Sequence, residues 1–101
     1  MEEKYKELLI YSNPKIVYNN AKKYLGNNVI IKISTRKDKK YMIEKTDGKW
    51  AHFGQIGYED YTKHKDEYRR MNYLLRSSNK KGNWKNDMYS PNNLSINILW
   101  N

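Results

Sequence analysis

His52 and His64, with Glu44, Glu59, Asp60 and Asp66, are the side chains here best suited to acid–base or metal chemistry. The two histidines are too far apart in sequence for a standard zinc motif, which sets its ligands in short-spaced pairs. Glu59 or Asp60 would have to join them in space to make a metal site. His64-Lys65-Asp66 is contiguous, unlike the spaced ligand motifs of phosphodiesterases. A nuclease needs several carboxylates converging on one or two metal ions, and charge balance on a basic surface accounts for these four equally well. Gly54 and Gly57 flank Gln55-Ile56 without forming the G-x-G-x-x-G loop that cradles phosphate; backbone geometry is the expected role of both. The chain shows no serine elbow, no nucleotide-binding loop and no lysine set in an apolar run. No catalytic residue, metal or cofactor is therefore assigned, and a protein that is not an enzyme is expected.

The stronger chemical signal is charge. Twenty Lys and Arg oppose eleven Asp and Glu, a formal net charge of +9. Residues 1–34 carry six basic and three acidic groups, residues 35–81 thirteen and seven, and the last twenty residues only Lys85 and Asp87. Such a field attracts polyanions, nucleic acid among them, although it also serves solubility. Candidate phosphate contacts are Arg36, Lys37, Lys39 and Lys40 in one turn, and Arg69, Arg70 and Arg76 on a helix. Arg69 and Arg76, seven apart, share a helix face, and Arg70 sits about 100° round. Lys far outnumbers Arg, which suits contact with phosphate better than bidentate reading of bases. Ten Tyr and three Trp are many for a chain of 101 residues. Tyr58, Tyr61 and Trp84 are candidates for stacking on unpaired bases or for anchoring a protein interface, and Trp84, alone in a polar connector, also suits tethering that loop.

The elements that would position these groups follow from periodicity and caps. Asn13, Pro14 and Gly26 bracket a helix carrying the apolar stripe Ile16, Val17, Ala21 and Leu25; this 13–26 segment is also read as a separable docking element. Tyr5–Tyr11 fits a strand or a helical turn equally. From Asn28 the period is two. Strands are expected at 29–34, at 40–45 with Tyr41 and Ile43 on one face, and at 50–53 with Ala51 and Phe53 on one face and Trp50 and His52 on the other. Arg36–Lys40 reads as a solvated turn and Asp47-Gly48 as a hairpin turn. Thr62 is the expected cap of a helix over 63–77 whose buried face is His64, Tyr68, Met71 and Leu75, with Met71 in the core. Ser90-Pro91 opens a last helix, burying Leu94 and Ile98; strict alternation from Leu94 to Trp100 offers a rival strand. The fold class expected is α+β, one small domain over 1–101, with a three-stranded antiparallel sheet packed against two or three helices. No apolar run approaches the ~20 residues of a membrane span. The acidic opening Glu2-Glu3 lacks the layout of a signal peptide, and the absence of cysteine suits a reducing compartment.

Ser34–Tyr41, Gly48-Lys49-Trp50, His52-Phe53-Gly54, Gly57–Thr62, His64-Lys65-Asp66, Arg69-Arg70, Tyr73-Leu74 and Arg76, then Gly82-Asn83-Trp84 and Tyr89-Ser90-Pro91 through Leu99-Trp100, occur in an order that resembles a family of small basic proteins encoded by nucleocytoplasmic large DNA viruses of protists. The resemblance implies a viral origin and location inside the infected host or in the virion. It implies no established activity. A looser similarity is to WGR domains, DNA-contacting modules with an aromatic-Gly-basic turn; Phe53-Gly54-Gln55-Ile56-Gly57 has the glycines but lacks the tryptophan and arginine. The function expected is non-enzymatic binding to the phosphate backbone of DNA or RNA with little sequence selectivity, as in packaging a viral genome. The alternative is a structural or adaptor protein of the virion that binds another viral protein.

Overall fold

Period-two alternation of Tyr41, Ile43, Ala51 and Phe53 builds the centre of the molecule. The computed structural model describes residues 2–101. Strands β1 (Ile31–Ile33), β2 (Lys39–Glu44) and β3 (Trp50–Gln55) form one antiparallel sheet in the order β1-β2-β3. Its register sets Ile33 opposite Tyr41, Tyr41 opposite Phe53, and Ile31 and Ala51 either side of Ile43. Opposed residues share a face, so these apolar side chains make one continuous surface, with the Tyr41 and Phe53 rings 5.9 Å apart. Met42 pairs with His52 in the alternate phase, and Trp50 is capped by the Lys32 ammonium, 5.6 Å from its ring.

Several helices accompany the sheet, and those that carry core side chains cover its apolar face. The helices are α1 (Glu2–Tyr11), α2 (Pro14–Leu25), α3 (Tyr61–His64), α4 (Glu67–Ser78) and α5 (Pro91–Leu94), which widens into a π-type turn over Ser95–Leu99 closed by Trp100 N donating to Ser95 O. Leu8, Val17, Ala21, Leu94, Ile98 and Leu99 join Tyr41, Ile43 and Phe53 in the buried core. The α+β architecture, with three antiparallel strands against several helices, is as expected, and so are Phe53 in the core and a helix rather than a strand after Ser90-Pro91.

One open choice is settled, and the bounds of β1 and of the 63–77 helix are corrected. The undecided 5–11 segment is helical, and β1 is shorter than 29–34, leaving Ile30 exposed. The helix expected over 13–26 begins at Pro14 under an Asn13 cap, and it packs into the core. Val17 and Ala21 are buried, and Asn20 Nδ2 donates to Ile98 O at 2.9 Å. The single helix over 63–77 is two. Asp60, not Thr62, caps α3; Lys65 ends it in the left-handed region at φ 54; and Asp66 accepts from Tyr68 N and Arg69 N to start α4.

The largest correction is the rotation of α4. Tyr68, Met71 and Leu75, expected inside, are 70 %, 53 % and 59 % exposed. Arg70, Tyr73, Leu74 and Ser77 face the body instead. The anchors are polar and aromatic. Arg70 Nε donates to Trp100 O at 2.8 Å, Tyr73 stacks on Trp100 with centroids 4.1 Å apart, and Asn92 Nδ2 donates to Ser77 O at 2.9 Å.

Candidate nucleic-acid interface

Setting α4 away from the sheet leaves a groove of about 980 Å³ between them. Lys39, Lys40, Gly54 and Gln55 bound it on the strand side, Tyr58 and Glu59 at the loop after β3, and Tyr68, Arg69, Asn72 and Arg76 along α4. Lys80 extends the helix side, and Tyr73, Trp100 and Leu99 also line it. Arg69 and Arg76 lie one above the other on α4, about 10 Å apart at 1.5 Å rise per residue.

Four of the seven basic residues singled out from sequence therefore meet here, but with different freedom. Lys39 is half-buried and Arg76 exposed; among the described residues no carboxylate lies within ion-pair distance of Lys39, Arg76 or Lys80. Arg69 Nη1 pairs with Glu59 Oε1 at 3.1 Å. That exposed pair is worth little and can open for a competing anion.

Lys40 is corrected outright. Expected in a solvated turn, it is buried, and its ammonium points inward to Asp60 Oδ2 at 3.1 Å and Tyr58 O at 2.6 Å. Burial lowers its pKa more than Asp60 raises it. The rest of the Asp60 carboxylate accepts from the Thr62 backbone N–H and hydroxyl. Thr62 Oγ1 in turn accepts from Asn13 N at 2.9 Å and lies 3.3 Å from Ser12 Oγ, which accepts from Tyr41 OH at 2.8 Å. This buried polar chain joins β2, the α1–α2 junction and α3. It fixes the loop that carries Tyr58.

Arg70 is likewise occupied, by Trp100 O and by Glu67, with its guanidinium over the Tyr61 ring. Arg36 and Lys37 are exposed in the β1–β2 turn and do not line the groove. Of the three aromatic candidates, Tyr58 alone lines it, 71 % exposed. Tyr61 is held by Glu67, to which its hydroxyl donates. Trp84 tethers its loop: its indole N–H donates to Lys80 O at 2.9 Å, and its carbonyl accepts from Ser90 and Asn93. Two lining residues, Tyr68 and Lys80, are not among the sequence candidates: periodicity assigns Tyr68 to the buried helix face, and Lys80 lies beyond the helix expected over 63–77.

A second pairing, of Ser34 with His52, has a spacing that would suit a nucleophile and base. Ser34 Oγ lies 2.7 Å from His52 Nδ1. Ser34 is fully buried, and its Oγ also accepts from Arg36 N at 3.0 Å. The contact holds the β1–β2 turn, and burial together with nearby Arg36 and Lys4 lowers the His52 pKa. Among the described residues no cluster of three or more His, Asp and Glu could hold a metal ion. Likewise no helix among them is long and apolar enough to cross a membrane.

A model for a family of unknown function (DUF5754) matches residues 29–77. The similar stretch runs from the start of the sheet through nearly all of α4, and so includes Lys39, Tyr58, Tyr68, Arg69 and Arg76. No curated protein and no solved structure matches the chain.

Proposed function

We propose that the protein binds nucleic acid through the phosphate backbone, with little sequence selectivity, in the groove between the sheet and α4. The observation that carries this reading is the convergence there of Lys39, Arg69, Arg76 and Lys80, with Glu59 as the single carboxylate in the lining. Flexible lysines and two helix arginines suit oxygen anions repeated along a chain more than the fixed donor pattern of a base edge. Under the viral origin that the resemblance implies, such chemistry would serve packing a genome rather than reading it. Three unpaired cations imply a slope of log affinity against log salt of about −2 to −3. Fluorescence anisotropy with a labelled 20-base-pair duplex and a 20-nucleotide strand, from 25 to 200 mM salt, tests this. Arg76→Glu with Lys80→Glu should weaken binding and flatten the slope. Absence of binding at 25 mM salt removes the proposal.

A second reading, an adaptor that docks on another protein, draws on the outward stripe Tyr68, Met71 and Leu75. Exposed apolar patches of this kind mark protein contacts. Capture of a protein partner that survives nuclease treatment and is lost with Met71→Glu would favour it over nucleic acid.

A further inference from the structure

We infer that the groove takes a single-stranded segment, DNA or RNA, whose bases stack on Tyr58 and Tyr68. This rests on the nucleic-acid reading above and narrows it. The two tyrosines are 71 % and 70 % exposed, and both line the groove. Each is the chain neighbour of one member of the Glu59–Arg69 ion pair, 3.1 Å long, so the pair ties the Tyr58 loop to the first turn of α4. Water-exposed aromatic rings beside cations are the two components of a single-strand platform: the cations hold phosphates, and the rings accept any base because every base has a π-face.

Competing aromatics are already used. Tyr73 and Trp100 are stacked on each other at 7° between planes, and Arg70 covers the Tyr61 ring. Among the described residues lining the groove, only Tyr58 and Tyr68 offer open ring faces.

A duplex offers the cations its phosphates but keeps its base faces stacked inside, so the rings of Tyr58 and Tyr68 would go unused on it. In a single strand the same bases turn their faces rather than their edges to the protein.

The test uses the full chain and three probes at 50 mM salt: a 20-nucleotide oligo(dT), a 20-nucleotide oligo(rU), and a mixed-sequence duplex of 20 base pairs. Both single strands should bind about tenfold or more tighter than the duplex. Tyr58→Ala with Tyr68→Ala should lose at least about tenfold on the single strands. Tyr58→Phe with Tyr68→Phe should stay within about twofold of the parent, because the stacking face survives. Equal affinity for oligo(dT) and oligo(rU) shows that the sugar is not read; a clear preference assigns the natural strand to DNA or RNA, and either supports the inference. Tyrosine substitutions are made at exposed positions, and unchanged circular dichroism and urea midpoints establish that they fold. Duplex binding as tight as single-strand binding, or indifference to the double alanine change, overturns the inference while leaving the backbone-binding proposal standing. Loss of all three probes overturns both.

Discussion

Replacing Lys40 by Met distinguishes scaffold from binding surface most sharply, because sequence grouped Lys40 with Lys39 and the structure separates them. Met keeps most of the side-chain length and volume, so the packing loss is small. What goes is the ammonium that donates to Asp60 Oδ2 and Tyr58 O. Asp60 is left with the two donors of Thr62 and a carboxylate that is 1 % exposed. Breaking a buried pair from one side typically costs about 3–5 kcal/mol, a large part of the 5–15 kcal/mol that holds a small domain together.

The pair is not itself a large net source of stability. Burial depresses the Lys40 pKa despite the neighbouring carboxylate, so desolvation outweighs attraction. Lys40→Met with Asp60→Asn, which removes both charges, should therefore cost clearly less than the sum of the single changes, with a coupling of about 2 kcal/mol or more. Urea denaturation followed by tryptophan fluorescence and circular dichroism measures all four corners of the cycle. Lys39→Met is the companion control, changing stability by less than about 0.5 kcal/mol while weakening nucleic-acid binding. A Lys40→Met protein within about 1 kcal/mol of the parent, or strict additivity in the cycle, refutes the buried-pair argument.

Phe53→Ala removes a fully buried ring and should lower the unfolding free energy by about 3 kcal/mol, against under about 0.5 kcal/mol for the exposed Arg36→Ala; equal small effects in urea would mean that the strand phase is wrong. Gly54→Ala combines φ +82 with a Cβ 2.9 Å from Leu99 Cδ1 and 3.0 Å from Lys40 Cβ, so a loss of about 2–4 kcal/mol is expected. Gly57→Ala, at φ +102 in open space, should lose only the left-handed penalty of about 1–2 kcal/mol, and parity between the two changes would remove the packing explanation. Stability should also fall on acidification from pH 8 to 5. Burial and then Arg69 hold the His64 pKa below its ordinary 6.5, and His52 is lowered too. Between the folded and unfolded values the unfolded chain binds more protons, so the stability present above about pH 6.5 is lost as pH drops through that window. Urea midpoints that rise toward pH 5 contradict this, and His64→Gln should flatten part of the trend.

What sequence revealed tracks how local the determining forces are. The phase of β2 and β3 follows from alternation within six residues, and the register then places Tyr41 opposite Phe53. Asn13-Pro14 and Ser90-Pro91 start helices through bonds reaching two or three residues, Asn13 Oδ1 accepting from Lys15 N and Ile16 N and Ser90 Oγ from Asn93 N. Asp66 suits a helix start in sequence as well, but Asp60, a carboxylate in a charged stretch, reads as charge balance, and nothing local marks the break at Lys65. Lys40 could not be placed from its neighbours, because its partner is twenty residues away. Of the groove, the strand and helix arginine and lysine positions were legible, but not which of them were free.

The rotation of α4 shows why that last step fails and why it matters for function. Two stripes run along this helix. One, Tyr68-Met71-Leu75, is the more apolar; the other, Arg70-Tyr73-Leu74-Ser77, is amphipathic. Hydrophobic patterning selects the first for burial, but it weighs only transfer from water and ignores specific partners. The second stripe has partners that the first lacks: a carbonyl for Arg70, a coplanar indole for Tyr73 and a side-chain donor for the Ser77 carbonyl, all from the C-terminal segment. Those contacts turn the more apolar side outward at a cost in exposed surface. The same rotation aims Tyr68, Arg69 and Arg76 at one groove. A helix chosen for stability alone would bury Tyr68 and Met71. The C-terminal aromatic and backbone groups instead hold the other side, and the released side is the one for which we propose a ligand that combines negative charge with flat apolar faces.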